Sequence, residues 1–225
     1  MSLPKPYYED EEHGIVIYNA DCREVLPHLP KVDLLLTDPP YGINMATATA
    51  TSWGSKGGRK VWGGTNWDSE RACPDLLKRL IAASTDAIIW GANYYPEAMP
   101  PGPGWLLWDK GQRIAQADGE LAATTASNPL RVFTANRFEI AKDGSVHPTQ
   151  KPLALMRWCL GFFPKAETVL DPFMGSGTTL VACKQLGRRC IGIEIEERYC
   201  EIAARRLSQG MLFGQDELAQ IGGGK

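Results

Sequence analysis

The sequence predicts an α/β domain in which helices cover both faces of a mostly parallel, twisted sheet. One observation is the continuous apolar run Val32–Thr37 (VDLLLT), which is typical of a strand buried on both faces of a parallel sheet. A second is the alternation of strand-like and helix-like segments after residue 150. The length of 225 residues suits one such domain rather than two.

In the first 150 residues, apolar runs and the prolines between them predict the elements. An amphipathic stretch at Cys22–Leu29 predicts a helix that Pro30 ends. Apolar spacing predicts another helix at Asp75–Ala83. Residues 112–128 show no clear period and receive no assignment. The predicted strands of this part are Ile15–Asn19, Val32–Thr37, Ala87–Trp90, Trp105–Trp108 and Leu130–Thr134.

In the last third of the chain, the helix boundaries carry clear signals. Pro152 precedes a predicted helix at Leu153–Phe162, and Gly187 follows one at Thr178–Leu186. A third helix at Glu196–Leu207 ends in arginines, which suit the negative end of a helix dipole. Short strands are predicted at Thr168–Leu170 and Cys190–Ile193, and residues 211–225 are expected to be a flexible tail.

Composition and charge exclude several classes of protein. The 24 basic and 26 acidic residues give a net charge of −2, which argues against coating a polyanion but permits a local basic patch. No run of about 18 apolar residues or signal-peptide core is present, so we expect a cytoplasmic protein without a membrane segment. The six cysteines form no C-x-x-C pair, and we therefore expect reduced thiols and no zinc site.

A glycine-rich turn, DPFMGSGTT, joins the strand at 168–170 to the helix at 178–186. Gly175 and Gly177 allow a ligand to approach the backbone at the helix N-terminus. Glu194 ends the next strand, where a carboxylate can accept bonds from ribose hydroxyls. The turn lacks the Gly-Lys-Ser/Thr of a Walker A loop, and Leu180 replaces the third glycine of a dinucleotide fingerprint. It suits a nucleoside ligand, NAD or S-adenosylmethionine (SAM), or is only a strand-to-helix turn. Asp171, at the end of the strand, either holds a ligand's ammonium group or caps the turn through a backbone bond.

The apolar strand 32–37 runs directly into Asp38-Pro39-Pro40-Tyr41. The prolines fix the backbone and lack N–H donors, so we expect their carbonyls to face outward as acceptors. The carboxylate of Asp38 adds an acceptor, and Tyr41 offers a face for stacking. Together they suit a planar amine; the alternative is a proline turn with an aspartate that faces solvent.

These elements, DPPY, DPFMGSGTT and HPTQKP, resemble the motifs of the amino-methylating DNA methyltransferases. The resemblance spans about residues 15–207, and DPPY precedes the glycine turn, as in the permuted β group. It implies a single Rossmann-like SAM-dependent methyltransferase domain over residues 1–210. It also implies that SAM and double-stranded DNA are bound and that the target base is flipped out of the duplex. An aspartate at the first motif position favours adenine N6 over cytosine N4 as the target.

The resemblance assigns roles to particular residues. Lys151 is expected to neutralise the cofactor's carboxylate, and Asp21 either contacts the cofactor's adenine or caps the helix that follows it. His147 lies in the same segment as Lys151. No metal is implied. The catalytic set is Asp38, Pro39, Pro40 and Tyr41. The cofactor-binding set is Asp21, Cys22, Thr149, Gln150, Lys151, Asp171, Phe173, Gly175, Ser176, Gly177, Thr178 and Glu194.

The predicted DNA contacts lie in two segments. The Trp- and Gly-rich loop 46–68 faces DNA or is a solvated linker, and residues 111–146 form a shortened target-recognition region. The residues expected to contact DNA are Lys56, Arg59, Lys60, Trp62, Arg113 and Arg137. The resemblance also implies a homodimer and a bacterial or phage-infected host cell, in the setting of restriction–modification. The rival interpretations are an NAD-dependent enzyme, an RNA or protein methyltransferase, and a non-catalytic DNA-binding protein.

Overall fold

The computed structural model describes residues 3–43, 70–99, 104–111, 117–126, 129–135 and 150–209, which include one nine-stranded sheet and five α-helices. The strands are β1 (Tyr8–Asp10), β2 (Ile15–Asn19), β3 (Val32–Thr37), β4 (Ser84–Trp90), β5 (Gly104–Asp109), β6 (Gly119–Thr124), β7 (Arg131–Thr134), β8 (Thr168–Asp171) and β9 (Arg189–Glu194). The helices are α1 (Cys22–Val25), α2 (Pro74–Ala82), α3 (Leu153–Gly161), α4 (Thr178–Gln185) and α5 (Glu197–Ser208).

The sheet has the order β1-β2-β9-β8-β3-β4-β6-β5-β7. Five of its eight pairings are parallel, including both pairings of the central strand β3 with β8 and β4. Strand β6 is antiparallel to both of its neighbours, β4 and β5. As a result β6 begins at the same edge of the sheet at which β3 and β4 end.

Helices cover both faces of the sheet, as the alternation of side chains along β3 shows. Leu34 and Leu36 pack on one face in a buried cluster with residues of α3, α4 and α5. Leu35 packs on the other face with residues of α1 and α2. All three leucines are fully buried, as expected of a central strand of a parallel sheet. The predicted fold class is confirmed.

Some elements differ from their prediction. The predicted helix at Cys22–Leu29 is α1 followed by a 3-10 turn at Leu26–His28, because Pro27 lacks the N–H that would continue the α-helix. Strand β1 has only three residues, and β6 (GELAAT) is built largely from small residues, so neither shows a period that predicts it. Strand β4 begins three residues before the predicted apolar run.

Several predicted segments fall outside the described residues. These are loop 46–68, much of the region 111–146, and the tail 211–225. Across the ranges that are described, no helix is both long enough and apolar enough to cross a membrane.

Candidate active site

The two motifs predicted to carry the chemistry lie side by side at the carboxyl edge of the sheet. Strands β3 and β8 are parallel neighbours, with Leu35 opposite Leu170. The hydroxyl of Thr37, the last residue of β3, donates a hydrogen bond of 3.0 Å to the carboxyl of Asp171, the last residue of β8. Because Asp38 follows β3 and the glycine turn follows β8, this bond joins the two motifs directly. Ligands of open α/β sheets bind at this edge.

Asp38 lies at one end of a chain of four alternating charges. Its Oδ1 accepts a hydrogen bond from the Tyr41 hydroxyl, and its Oδ2 pairs with the buried ammonium of Lys151. Lys151 Nζ also lies 2.9 Å from Glu120 Oε2, an ion pair without the geometry of a hydrogen bond. Glu120 Oε1 in turn lies 2.7 Å from Lys110 Nζ. We call Asp38, Lys151, Glu120 and Lys110 the charge chain.

Burial and neighbouring charges shift the pKa values within the charge chain in different directions. Burial raises the pKa of Asp38, and the attraction of Lys151 does not reverse the rise. Burial also opposes ionisation of Glu120, but the two lysines beside it overcome this effect and lower its pKa to about 2. Burial alone would lower the pKa of Lys151, yet its two carboxylate neighbours raise it. One buried ammonium therefore serves two carboxylates, and Asp38 is the one whose ionisation is opposed.

The ring of Tyr41 is held by an aromatic neighbour and a glycine. It stacks on the ring of Tyr94, with the centroids 4.7 Å apart and the planes 14° from parallel. It also passes over Gly91, where an added Cβ would lie 2.0 Å from Tyr41 Cε1. Gly91 has φ +67°, which disfavours any other residue at this position. Gly91 therefore provides the space that Tyr41 occupies.

The two proline carbonyls of the DPPY element have different surroundings. The Pro40 carbonyl accepts hydrogen bonds from the Ala72 N–H, at 3.1 Å, and from the hydroxyl of the fully buried Tyr95. The expectation that it faces outward is wrong, because these two donors hold the turn in place. Among the described residues, no donor contacts the Pro39 carbonyl.

The two glycines of the turn have different tasks. Both adopt left-handed backbone angles, with φ +51° at Gly175 and +77° at Gly177. A Cβ added at Gly177 would lie 2.7 Å from the Cβ of Ala203, so this glycine permits α5 to pack closely. A Cβ added at Gly175 would meet nothing within 4 Å. The backbone at Gly175 is therefore open on the side that a ligand could approach.

Two carboxyl groups, of the buried Asp171 and the partly buried Glu194, flank the glycine turn. Glu194 accepts backbone hydrogen bonds from Gly175, at 3.0 Å, and from Glu196, at 2.9 Å, while burial raises its pKa to about 7. Asp171 accepts from the Thr37 hydroxyl and from the Phe173 N–H at 3.3 Å, and burial raises its pKa to about 6. Asp171 thus caps the turn, which was one of its two predicted roles.

Arg206 braces the glycine turn from α5. Its Nη1 donates to the Ser176 carbonyl at 2.6 Å and lies 3.2 Å from both Ser176 Oγ and Thr178 Oγ1. The Ser176 hydroxyl donates to Gln150 Oε1 at 3.3 Å. These contacts bring Gln150, Ser176 and Thr178 together, and their predicted contact with a cofactor stays a prediction. The contact of Arg206 with the glycine turn was not predicted, because the sequence indicated only a favourable interaction of this arginine with the helix dipole.

Asp21 and Cys22 have structural roles at the start of α1. The Asp21 carboxylate accepts from the Arg23 N–H at 2.8 Å, which is the predicted helix cap. The Arg23 guanidinium also binds it, and these bonds lower the pKa of Asp21. Cys22 is buried in the core, where burial raises the pKa of its thiol to about 12. Their contact with a cofactor stays a prediction.

Two residues of the charge chain were not predicted from the sequence, and several predicted site residues lie outside the described ranges. Glu120 and Lys110 were missed, although a lone acid in the small-residue segment GELAAT is a usable signal. Within the described ranges, no three His, Cys, Asp or Glu side chains are grouped to hold a metal ion. The predicted residues that lie outside the described part are Lys56, Arg59, Lys60, Trp62, Arg113, Arg137, His147 and Thr149.

Comparison with known proteins identifies the family. A family model described as DNA methylase, covering N6 and N4 enzymes, matches residues 105–205. The Type II methyltransferase M2.LlaDCHI of Lactococcus lactis subsp. cremoris is 30% identical over 270 aligned residues, which cover 94% of this chain and 95% of the relative. The chain belongs to the N6/N4 DNA methylase family. The resemblance to the amino-methylating DNA methyltransferases is therefore confirmed, and membership of the permuted β group stays a prediction.

Two solved structures have a fold similar to that of this methylase. The crystal structure of the M1.HpyAVI–SAM complex matches with a TM-score of 0.56 at 26% identity, covering 86% of this chain and 99% of that chain. The PvuII DNA methyltransferase, which is cytosine-N4-specific, shares the fold with a TM-score of 0.57 at 14% identity, over 92% and 90% of the two chains.

Proposed function

We propose that this methylase transfers a methyl group from SAM to the exocyclic N6 of adenine in DNA. The observation that carries the proposal is the hydrogen bond between Thr37 and Asp171, which holds the DPPY element beside the glycine turn. An NAD-dependent enzyme would account for the turn but has no use for Asp38 and Tyr41.

The residues around the glycine turn fit SAM. The open space above Gly175 admits a ligand to the backbone, and the partly buried carboxyl of Glu194, at the carboxyl end of β9, can accept bonds from ribose hydroxyls. Gln150 and Ser176 provide polar groups on the other side of the turn. When bound, SAM supplies an activated methyl group on its sulfonium.

The DPPY element would bind and orient the target amine. The Asp38 carboxylate and the Pro39 carbonyl accept hydrogen bonds from the two amino hydrogens. Such bonds favour a pyramidal nitrogen, whose lone pair can then point at the methyl group. Direct transfer needs no cysteine nucleophile, so the chain's contribution is alignment and electrostatic complementarity. A target amine inside a duplex must first leave the base stack, and Tyr41 offers a surface for the flipped base.

Adenine is proposed as the target because Asp38 occupies the first position of the motif. Cytosine N4 is the second candidate, because a cytosine-N4-specific enzyme shares the fold and the fold therefore does not discriminate between them. The test is mass spectrometry of nucleosides from unmethylated DNA after incubation with the protein and SAM. We expect N6-methyladenine. If N4-methylcytosine alone were found, the target would be cytosine N4 and not adenine N6. The absence of any methylated base would refute DNA methylation.

DNA binding is proposed for the basic residues of loop 46–68. We expect Lys56→Ala/Arg59→Ala/Lys60→Ala to weaken DNA binding and to reduce the slope of log affinity against log salt by about 0.9 for each lost phosphate contact. A matched control is the triple variant of exposed lysines elsewhere, Lys31→Ala/Lys78→Ala/Lys165→Ala. An unchanged affinity and slope in the first variant would show that the loop is a solvated linker.

Homodimerisation is proposed as part of this function. Sedimentation equilibrium of the full chain, with and without DNA, tests it. A mass of twice the 24.7 kDa of the chain is expected, and a monomer at all concentrations would contradict it.

A further inference from the structure

Both carboxylate oxygens of Asp38, the proposed acceptor for the target amine, already have a partner within the protein. Oδ1 accepts from the neutral Tyr41 hydroxyl, whereas Oδ2 is held by the Lys151 ammonium. A target amino group is also a hydrogen-bond donor of similar size. It therefore approaches a carboxylate whose two oxygens each already accept from a donor, one of them the charged Lys151 ammonium.

We propose that Lys151 and Glu120 form a positioning pair: the Lys151 ammonium holds the Asp38 acceptor until the target amine takes it, and Glu120 then retains the ammonium. The inference rests on the proposed function, because it concerns how the target amine reaches Asp38. Glu120 contacts neither the amine nor the methyl group and acts only through Lys151.

The geometry supports this exchange. Lys151 Nζ contacts Asp38 and is already 2.9 Å from Glu120 Oε2, so rotation of the lysine side chain is sufficient to transfer the ammonium. Glu120 lies on β6, directly opposite Trp108 in the sheet register, so the strand fixes its position. Because β6 is antiparallel, its first residues reach the edge at which β3 ends.

Charge and burial explain why a second carboxylate is needed. The Lys151 side chain is only 7% exposed, and a buried ammonium that loses its partner is strongly unfavourable. Its raised pKa keeps Lys151 charged at neutral pH, so it does not leave Asp38 by losing its proton. With Glu120 in place, the arriving amine displaces Lys151 from one anion while the ammonium keeps another. Without Glu120, Asp38 would be the sole carboxylate paired with Lys151 among the described residues.

The test compares Glu120→Gln with a matched surface variant, Glu201→Gln, whose carboxylate pairs with Arg205 on the exposed face of α5. Three quantities are measured on the full chain: the single-turnover rate of methyl transfer to saturating unmethylated plasmid DNA, the Kd of SAM and the melting temperature. For Glu120→Gln we expect a rate about 10- to 100-fold lower, as for a misplaced reacting group, with the Kd of SAM changed less than about threefold. Glu201→Gln is expected to match the wild type in all three.

A double variant separates positioning from structural support. In Glu120→Gln/Lys151→Gln the competing ammonium is absent, so we expect a faster transfer than in Glu120→Gln alone. If Glu120 only supported the fold, the second substitution would slow transfer further, which would overturn the inference. If Glu120→Gln does not fold, Glu120→Asp keeps the charge but shortens the side chain; we expect transfer at least about threefold slower, and a wild-type rate would overturn the inference.

The inference and the proposed function fail in different ways. If the wild type does not methylate plasmid DNA, the proposed function fails. If the wild type methylates DNA and Glu120→Gln does so at the same rate, only the inference is overturned. An equal loss of SAM affinity and of the transfer rate in Glu120→Gln would show a structural role and would also overturn it.

Discussion

Asp33 and Asp38 lie near opposite ends of one strand, β3, and their environments differ in kind. The carboxylate of Asp33 accepts three hydrogen bonds at the start of β8: one from the N–H of Glu167, the residue before the strand, at 3.0 Å, and two from the N–H and hydroxyl of Thr168, both at 2.8 Å. These bonds lower the pKa of Asp33. Asp38 contacts Tyr41 and Lys151 instead, and burial raises its pKa.

The difference suggests separate tasks for the two ends of β3, with stability at the amino end and the proposed chemistry at the carboxyl end. At the amino end of β3 a carboxylate has backbone and hydroxyl donors that favour its ionised form and join two strands. At the carboxyl end a carboxylate is held by a hydroxyl and an ammonium while burial opposes its charge. Asp33 therefore contributes stability above its ordinary pKa that is lost as the pH falls through its lowered pKa. Asp38 makes no such contribution, and we assign it to catalysis.

The largest expected effect comes from replacing each of these two aspartates by alanine. Asp38→Ala is expected to reduce methyl transfer by about 10²- to 10³-fold or more, because it removes the acceptor for the target amine, while SAM binding is retained. Asp33→Ala is expected to lower the free energy of unfolding by about 1–2 kcal/mol through its lost hydrogen bonds, with an unchanged rate per folded molecule. Methylation assays and denaturant unfolding check both. An active Asp38→Ala enzyme would remove the contrast.

A second pair of substitutions tests whether Tyr41 must lie over Gly91. In Gly91→Ala the new methyl group overlaps the Tyr41 ring and the backbone has φ +67°, so we expect methyl transfer to fall about 100-fold as Tyr41 is displaced. Gly187→Ala has the same backbone strain, with φ +65°, but its Cβ meets nothing within 4 Å.

We expect Gly187→Ala to lose about 1–2 kcal/mol of stability and no activity per folded molecule. The comparison needs methylation rates alongside thermal unfolding. Equal activity losses in the two variants would mean that strain alone, and not the position of Tyr41, is responsible.

A smaller effect is expected at the glycine turn, where adjacent arginines on α5 differ. Arg206 bonds Ser176 and Thr178, whereas Arg205 is exposed and pairs with Glu201. We expect Arg206→Met to raise the Kd of SAM by about tenfold, equivalent to about 1.4 kcal/mol, because the turn loses its brace. Arg205→Met is expected to bind SAM as the wild type does. Calorimetric titration with SAM measures both, and equal affinities would show that the turn needs no brace.

The smallest effect is a pH dependence of SAM binding that originates at Glu194. Burial raises its pKa to about 7 from an ordinary value of 4.5, so the folded protein protonates it below neutral pH. Because the ionised carboxylate is the better acceptor for ribose hydroxyls, we expect SAM affinity to rise as the pH increases through about 7. The same raised pKa means that the contribution of Glu194 to stability falls as the pH rises from 4.5 to about 7.

Titrations with SAM between pH 5.5 and 8.5, which bracket that value, check this prediction. In Glu194→Gln the dependence is expected to disappear, along with part of the affinity. A dependence that persists unchanged in Glu194→Gln would originate at another group.

Local signals predicted the parts of the site that depend on consecutive residues. The apolar run of β3 followed by Asp38 and two prolines indicates a buried strand that ends in a rigid turn. Gly175 between a strand and a helix similarly indicates a backbone that a ligand can approach, whereas the need for Gly177 comes from the packing of α5. In both cases the amino-acid types themselves restrict the backbone, so the sequence was sufficient to predict them.

The remaining features depend on tertiary neighbours. Arg206 meets Ser176 across 30 residues of chain, and Glu120 meets Lys151 only because β6 inserts antiparallel between β4 and β5. The inward direction of the Pro40 carbonyl depends on Tyr95, 55 residues later. No local pattern specifies which distant donor meets which acceptor.

The most direct measurement of the central claim is modified-base sequencing of DNA from a host that lacks other methylases. Cells expressing the wild-type chain are compared with cells expressing Asp38→Ala and Asp33→Ala at matched levels of folded protein. We predict N6-methyladenine at one short sequence with the wild type and Asp33→Ala, and none with Asp38→Ala. Modification that persists with Asp38→Ala, or DNA that is unmodified by the wild type, would contradict the assignment of methyl transfer to the carboxyl edge of β3.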